Sequence, residues 1–359
     1  MDSISRISLR RLRVPLHTPY RLSYRTFTEF EPFLVEIETA DGKIALADGH
    51  ISPGSSAETR EGGWAHLAAR LPRLVGLGPA EAKALMARDF EASKVATTAA
   101  VVALEMLEGE VLAEVSAPAR LPLLAPIGAT ERADIEREVE RGLAAGFGTF
   151  KVKVGKDLEG DLARLADIQS AVAGRAALRV DANRAYSRDD AIAFARCLNP
   201  EGIVLFEQPC EADLWDDNAA VAAASDVPVM LDEPICTMAD IARAAEIPGV
   251  GYCKVKLKRF GGLRALYDGI RAIQDAGMQA VLGDGLGSDL HAWCEAAVAA
   301  RTIDNAGEFN GYLKMIDRLF STPLHTEDAT LHLEPGPCPA LDPARVAAAT
   351  TDHLEFCQP

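Results

Sequence analysis

Ionisable residues recur at a nearly constant spacing through the middle of the chain. They are 24 to 28 residues apart, at or near the ends of short apolar segments. That interval is the length of one strand plus one helix, so each residue takes the same place in its βα unit. Because the carboxyl ends of parallel strands meet at one edge, we expect these side chains to converge on one site. They are Lys153, Asp181, Glu207, Asp232, Lys256, Asp284 and Glu308.

Three of these residues are acids on consecutive strands, namely Asp181, Glu207 and Asp232. Three buried carboxylates do not stay ionised together unless a cation balances them. An all-oxygen ligand set favours Mg²⁺, with Mn²⁺ as the second choice, over zinc. The spacing therefore predicts a Mg²⁺ site at this edge of the sheet.

Two lysines flank the acidic trio, Lys153 on the strand before it and Lys256 on the strand after it. A divalent cation and a second lysine both disfavour the ammonium form, so either lysine can become a base near pH 7. A metal ion beside a substrate carboxylate stabilises the enediolate that forms when a neighbouring carbon loses its proton. The residues predict proton abstraction from carbon next to a carboxylate, and two bases on opposite faces permit inversion.

Each segment taken singly also has a structural explanation. Lys151-Val-Lys153 fits a solvated strand face, Asp181-Ala-Asn183 fits a turn or a helix N-cap, and Lys254-Val-Lys256-Leu-Lys258 fits an edge strand blunted by lysines. A shared site is favoured only because all the segments occupy the same place in their βα units.

The surrounding pattern supplies the elements that such a site needs. From residue 121 onward short apolar strands alternate with alanine-rich helices, which predicts an α/β fold with a parallel sheet covered on both faces. The first 125 residues or so read as a few strands followed by helices, a small α+β unit. The segment after about His325 is Pro-rich, and we expect it to pack back on the first domain. Strands are predicted at 150–154, 178–180, 203–206, 227–231, 252–257 and 279–282.

Composition narrows the class of protein. The 359 residues carry a net charge of −16, which argues against nucleic-acid binding. No apolar run approaches the roughly 18 residues of a membrane span, and arginines interrupt the apolar stretches at the start, so no signal peptide is expected. The seven cysteines are odd in number and never in a C-x-x-C spacing, which favours buried thiols in a reducing compartment. We expect a cytoplasmic protein.

The combination of motifs resembles the muconate-lactonizing, two-lysine subgroup of the mandelate racemase/muconate-lactonizing enzyme family, in the enolase superfamily. The resemblance spans nearly the whole chain and implies a modified (β/α)8 barrel of TIM type over 125–324. It also implies an N-terminal α+β capping domain over 1–124 that the C-terminal segment 325–359 completes. The motifs are Lys151-x-Lys153, Asp181-x-Asn183, Glu207-Gln-Pro209, Asp232-Glu233, Lys256-Leu-x-x-x-Gly261-Gly262, the loop 52–59 and Glu308-Phe-Asn-Gly311.

The resemblance implies roles for these positions. Asp181, Glu207 and Asp232 would bind Mg²⁺, Lys153 and Lys256 would be the two acid/base catalysts, and Lys151 would assist charge stabilisation at the substrate carboxylate. Asn183 and Glu233 would orient ligands or lysines. Family members are commonly dimers or octamers, so a homo-oligomer is expected. Expected substrate contacts are Asp284, Glu308 and, from the capping loops, Tyr20, Tyr24 and His50.

Two positions depart from the family patterns. The mandelate-racemase subgroup has a histidine base on its seventh strand, whereas this chain has Gly283-Asp284-Gly285, which favours the two-lysine subgroup. Lys254 stands where that subgroup often has an asparagine, and the sequence offers no account of it.

The substrate prediction rests on Asp284. An acid at this strand end can pair with a substrate ammonium, and Asp284 to Asp289 resembles a D-x-x-G-x-D arrangement of family members acting on proline-type amino acids. We therefore expect a racemase or epimerase of an amino acid or proline derivative. Asp289 is alternatively the N-cap of the following helix. A muconate-type cycloisomerase and a syn-dehydratase of the hydroxyproline or o-succinylbenzoate-synthase type would use the same residues, and a non-catalytic binding protein is the distant alternative.

Overall fold

The N-terminal part of the chain is an antiparallel sheet packed against helices. The computed structural model describes residues 3–21, 25–54, 56–283 and 286–358. Apolar residues of the fourth and fifth strands lie on a buried face that the third helix covers. The elements are β1 (Ile4–Leu12), β2 (Val14–Arg21), β3 (Thr26–Phe30), β4 (Phe33–Thr39), β5 (Ile44–Gly49), α1 (Arg60–Arg70), α2 (Pro79–Ala87), α3 (Lys94–Glu108), β6 (Glu114–Val115) and β7 (Ala119–Pro122).

A sheet of seven parallel strands follows, in which neighbours in space are neighbours in sequence. The strands are short and buried, as a sheet covered by crossover helices requires. This confirms the predicted α/β barrel class. The elements are β8 (Ala125–Ile127), α4 (Arg132–Ala144), β9 (Thr149–Lys153), α5 (Leu158–Val172), β10 (Ala177–Asp181), α6 (Arg188–Cys197), β11 (Ile203–Glu207), α7 (Trp215–Ala224), β12 (Val229–Leu231), α8 (Met238–Ala245), β13 (Val250–Val255), α9 (Leu257–Phe260), α10 (Leu263–Asp275), β14 (Gln279–Leu282) and α11 (Asp289–Ala299).

A short segment, Gly307–Glu308, closes the ring at the eighth position. The Gly307 amide donates to the carbonyl of Pro122, and the Glu308 amide donates to the carbonyl of Leu282, both at 2.9 Å. A side chain on Gly283 would lie 2.7 Å from the backbone of Glu308, and Gly283 has φ +112°, so this close approach requires glycine. The ring therefore has eight positions although the last is too short for a strand.

The C-terminal part returns to the N-terminal sheet. Strand β18 (Thr350–Cys357) pairs antiparallel with β1, which gives the sheet order β18-β1-β4-β5 and confirms that the C-terminal segment completes the cap. The domain limits at residues 124 and 324 stay predictions. The elements are β15 (His325–Glu327), β16 (Thr330–Leu333), β17 (Gly336–Pro337), α12 (Pro343–Ala349) and β18 (Thr350–Cys357).

The hairpin of β2 and β3 was not predicted from the sequence. Pro15 and Pro19 interrupt its alternation, and the strand register shifts between Pro15 and Tyr20. Within the described ranges, none of the helices is both long and apolar enough to cross a membrane.

Candidate active site

The ends of consecutive barrel strands line one cavity of about 220 Å³. Asp181 and Glu207 are the last residues of β10 and β11, and Asp232 follows β12 directly. The strand register pairs Asp181 with Lys153 on one side and with Glu207 on the other. Most of the predicted site residues line this cavity together: Lys151, Lys153, Asp181, Asn183, Glu207, Asp232, Glu233, Lys256, Glu308 and Tyr20.

The three acids of the predicted metal site are buried, with exposed fractions of 0%, 1% and 3% for Asp181, Glu207 and Asp232. Burial would raise the pKa of Asp181, but Lys151 and Lys153 more than offset it, and the pKa lies below its usual range. Burial and the charge of Asp181 raise the pKa of Glu207. Neighbouring carboxylates thus compete for the same positive charge.

Lys151 lies within this carboxylate cluster. Its Nζ is 2.9 Å from Asp181 Oδ2, 2.7 Å from Glu207 Oε2 and 3.1 Å from Glu308 Oε2. Burial works to lower the pKa of Lys151, but the three carboxylates raise it well above its ordinary value. Lys151 is therefore held as an ammonium.

Lys153 lies at the rim of the cluster, with a side chain that is 45% exposed. Its Nζ is 2.5 Å from Asp181 Oδ2 and also contacts Asn183 Oδ1. The Asn183 amide donates to Asp181 Oδ1 at 2.8 Å, and Asn183 has φ +46°, a conformation that asparagine tolerates. Asn183 thus contacts both the acid and the lysine that it was predicted to orient.

Lys256 lies on the opposite side of the ring, directly after β13. Its Nζ is 3.0 Å from Asp232 Oδ2. Burial and the neighbouring Arg259 guanidinium lower the pKa of Lys256, and Asp232 only partly opposes them. Burial together with the charge of Asp232 raises the pKa of nearby Glu233 to about 7. The pKa of Lys256 is therefore shifted in the direction that a general base needs.

Three residues that sequence reasoning did not assign also shape the site. Lys254 is 2% exposed; its Nζ is 3.3 Å from Glu207 Oε1 and contacts Glu308 Oε2. Arg259 Nη1 is 2.8 Å from Asp232 Oδ1. The buried Gln208 accepts a hydrogen bond from the Asp232 amide at 2.8 Å, which ties the ends of β11 and β12 together.

Of these three residues, only Lys254 belongs to a sequence pattern that could have indicated its position. The alternation through Lys254, Lys256 and Lys258 was a signal that the first two share one strand face. Nothing in the sequence marks Arg259 or Gln208 as a neighbour of Asp232.

One predicted substrate contact, His50, does not line the cavity, and the predicted N-cap role of Asp289 is wrong. His50 is 2% exposed and packs edge-on against Phe30, with ring centroids 5.2 Å apart, instead of lining the cavity. Asp289 is not the N-cap of α11, because Ser288 accepts from the Leu290 amide in that role. The Asp289 carboxylate instead accepts hydrogen bonds from the amides of Leu319 and Phe320. Tyr24 and Asp284 lie outside the described residues.

The carboxylates fit a hard cation by their chemistry. Asp181, Glu207 and Asp232 offer only oxygen, from adjacent strand ends and in a buried position. Glu207 Oε2 lies 2.7 Å from Lys151 Nζ, and Asp232 Oδ1 lies 2.8 Å from Arg259 Nη1. In the described ranges no cluster of three or more His, Cys, Asp or Glu has ligand geometry. Lysine ammoniums lie on these oxygens instead, and the carboxylates can rotate toward a metal only when those contacts loosen.

Comparisons with known proteins identify relatives over almost the full length. The family model described as "Enolase C-terminal domain-like" matches residues 134–338. An L-Lys-D/L-Arg epimerase from Methylococcus capsulatus is 30% identical over 326 residues, covering 86% of this chain and 91% of that protein.

Two solved structures have the same fold. An N-succinyl Arg/Lys racemase from Bacillus cereus has a TM-score of 0.90 at 21% identity, covering 99% of this chain and 100% of that one. A dipeptide epimerase from Cytophaga hutchinsonii, complexed with Mg and the dipeptide D-Ala-L-Val, has a TM-score of 0.88 at 21% identity, with the same coverage.

Proposed function

Because the chain belongs to the enolase superfamily, in its mandelate racemase/muconate-lactonizing enzyme family, we propose that it is a Mg²⁺-dependent racemase or epimerase of the two-lysine subgroup. It is an isomerase, with lyase activity as the alternative. The observation that carries the proposal is the placement of Lys153 and Lys256 at the ends of β9 and β13, four positions apart in a ring of eight. Two lysines so placed face each other across the cavity.

Superfamily enzymes generally use Mg²⁺, and Asp181, Glu207 and Asp232 are the residues that would hold it here. Bound there, the ion would supply positive charge beside the substrate carboxylate, where negative charge develops as the proton leaves. The dipeptide epimerase that shares this fold was obtained with Mg, which supports the choice of cation.

The two lysines carry the proton steps. One lysine, as the neutral amine, takes the proton from the carbon next to the carboxylate, and the other, as the ammonium, returns a proton to the opposite face. The lowered pKa of Lys256 supports its role as a base. The raised pKa of Lys151 supports a different role, a permanent positive charge beside the substrate carboxylate.

We propose an amino acid or an amino acid derivative, including proline derivatives, as the substrate. The racemase and epimerase activities named for similar proteins support this class. Tyr20 and Glu308 line the cavity and are proposed substrate contacts, and Asp284 is proposed to pair with a substrate ammonium. Cycloisomerisation and syn-dehydration would begin with the same proton abstraction. A purely binding role would not need two lysines on opposite sides.

Proton exchange at the α-carbon tests the proposal. We would follow exchange in D₂O with Mg²⁺ by ¹H NMR over a panel of amino acids, hydroxyprolines, N-acyl amino acids and dipeptides. Lys153→Ala and Lys256→Ala should each lower racemisation by about 10²- to 10⁴-fold. Each variant should still exchange the proton of only one enantiomer, because each lysine serves one face.

Lys83→Ala is the control, since Lys83 pairs with the exposed Glu108 in the cap. Exchange should also stop with EDTA. Exchange of both enantiomers at the wild-type rate in both variants would refute the paired-lysine mechanism. Exchange without inversion in the wild-type protein would favour cyclisation or elimination.

A further inference from the structure

Lys314 is a cavity-lining lysine with no carboxylate oxygen within 4 Å among the described residues. It ends the short 3-10 helix Gly311–Lys314, which follows the segment that closes the barrel. Its Nζ lies 4.5 Å from the centroid of the Tyr20 ring, a cation–π contact. Across the ranges that the structure describes, no carboxylate oxygen lies within 4 Å of this ammonium. The half-buried charge therefore faces the cavity without the pairing that buried ammoniums usually have.

Most of the other basic side chains of the cavity differ from Lys314 in this respect. Seven of them lie within 4 Å of a carboxylate: Lys94, Lys151, Lys153, Arg184, Lys254, Lys256 and Arg259. Glu308 attracts Lys314 electrostatically, but its oxygens are already bound by Lys151 and Lys254. Burial lowers the pKa of Lys314 to about 8, so it is still largely an ammonium at neutral pH. A ligand anion would balance this charge.

The position of Lys314 in the ring separates it from the proposed metal site. Glu207 ends the strand at the fourth position, and Lys314 follows the closing segment at the eighth, directly across the barrel. Lys153 and Lys256 define the perpendicular axis, at the second and sixth positions. A substrate whose reacting carbon lies between those lysines, with its carboxylate toward Glu207, extends its remaining atoms toward Lys314.

The overall charge of the cavity agrees with this placement. Of its described lining residues nine are basic and six are acidic, in a protein whose net charge is −16. An excess of positive charge in one cleft of an acidic protein concentrates anions there. A substrate with a single carboxylate would leave the eighth position unmatched.

We propose that Lys314, supported by the Tyr20 ring, binds a second carboxylate of the substrate, so that the enzyme acts on dicarboxylates. This inference rests on the proposed function. The second carboxylate belongs either to an N-acyl group or to an acidic side chain of a dipeptide. Both sources present the same chemistry to a lysine ammonium.

Matched pairs of compounds test the inference. N-succinyl-L-alanine would be compared with its succinamoyl analogue, which keeps only the alanine carboxylate, and L-Ala-L-Glu with L-Ala-L-Gln. We would measure kcat/KM for proton exchange and, by calorimetry, Kd in the presence of Mg²⁺. The wild-type protein should prefer the dicarboxylate of at least one pair, and that pair identifies the source of the carboxylate. Lys314→Met should lower the preference roughly 10- to 100-fold, the range for a charge-assisted hydrogen bond.

Three further variants make the result specific. Lys314→Arg should retain much of the preference, and Tyr20→Leu should lower it less than Lys314→Met does. Lys94→Met is the matched control, because Lys94 lines the same cavity but already pairs with Glu91 at 3.3 Å. An equal loss of preference in Lys94→Met would overturn the assignment to Lys314, as would a wild-type protein with no preference in either pair. Thermal unfolding would establish that each variant is folded.

The two readouts separate this inference from the proposed function. Rapid exchange of the amide analogues, with no preference for the dicarboxylates, would overturn the inference and leave the racemase proposal standing. In the other case, dicarboxylates bind tightly, Lys314→Met abolishes the binding, and no compound exchanges its proton. That result would support the binding site at Lys314 and refute the proposed reaction.

Discussion

Lys151, which is buried, and Lys256, which is partly buried, lie on opposite sides of one ring, and their surroundings shift their pKa values in opposite directions. Burial works to lower the pKa of both. Lys151 faces three carboxylates and has a raised pKa, whereas Lys256 shares Asp232 with the Arg259 guanidinium and has a lowered one. The comparison shows that the local balance of charge, more than burial or residue type, separates a fixed cation from a base.

Stability without metal should show the largest difference between the two lysines. Lys151→Met leaves buried carboxylates with less compensating charge, so the free energy of unfolding should fall by about 3–5 kcal/mol. Lys256→Met should cost clearly less, because Asp232 keeps its contact with Arg259. Urea unfolding of both variants in EDTA would measure this. Equal losses would contradict the assignment of three partners to one lysine and one shared partner to the other.

The affinity for Mg²⁺ should depend on the lysines that contact the same carboxylates as Lys151. Lys254 lies against Glu207, so its ammonium competes with a cation for that carboxylate. Lys254→Met should therefore bind Mg²⁺ about tenfold more tightly than the wild-type protein. Calorimetric titration with Mg²⁺ measures the change, and Lys94→Met, whose lysine pairs with Glu91 outside the acidic trio, is the control. Unchanged or weaker binding in Lys254→Met would show that Lys254 supports the metal site instead.

The pH dependence of the rate should depend on the positive charge of Arg259 beside Lys256. Proton abstraction needs neutral Lys256, so kcat/KM rises with pH up to the pKa of this lysine and then levels off. Arg259→Met removes a neighbouring positive charge, which raises that pKa and moves the rise to higher pH. At neutral pH the rate should fall about tenfold for each unit of increase.

Arg264→Met is the control for this pH shift, since Arg264 pairs with Glu110 away from the cavity. If the pH profile of Arg259→Met coincides with the wild-type profile, Arg259 does not lower the pKa of Lys256.

The site residues that recur once in each βα unit could be predicted from the sequence. Asp181, Glu207 and Asp232 recur once per βα unit, and the period alone indicates that they meet at strand ends. Strands β9 to β14 were predicted for the same reason, since each is an apolar run between helices. The three-residue β8, which contains Pro126, was missed because it is too short to show a pattern.

What depends on side-chain direction could not be predicted. Whether Lys254 faces the barrel interior or solvent depends on which face of β13 turns inward, and a lysine in an apolar strand more often marks an exposed edge. Arg259 reaches Asp232 from the short helix α9, and Gln208 reaches it from a loop residue with φ +39°; no sequence pattern indicates either contact. His50 was expected at the substrate because its loop resembles a capping loop, but the adjacent Phe30 offers it an apolar packing site.

Pairing between β1 and β18 has a consequence for synthesis on the ribosome. Ser8 and His353, whose side chains lie 2.9 Å apart, are separated by 345 residues. At about 5–20 residues per second, the partner of β1 emerges roughly 20–70 s after β1 itself. The barrel strands, which pair with sequence neighbours, have time to assemble first, while β1 leaves one edge of the nascent sheet open to other chains. Truncated or stalled chains should therefore aggregate through that edge.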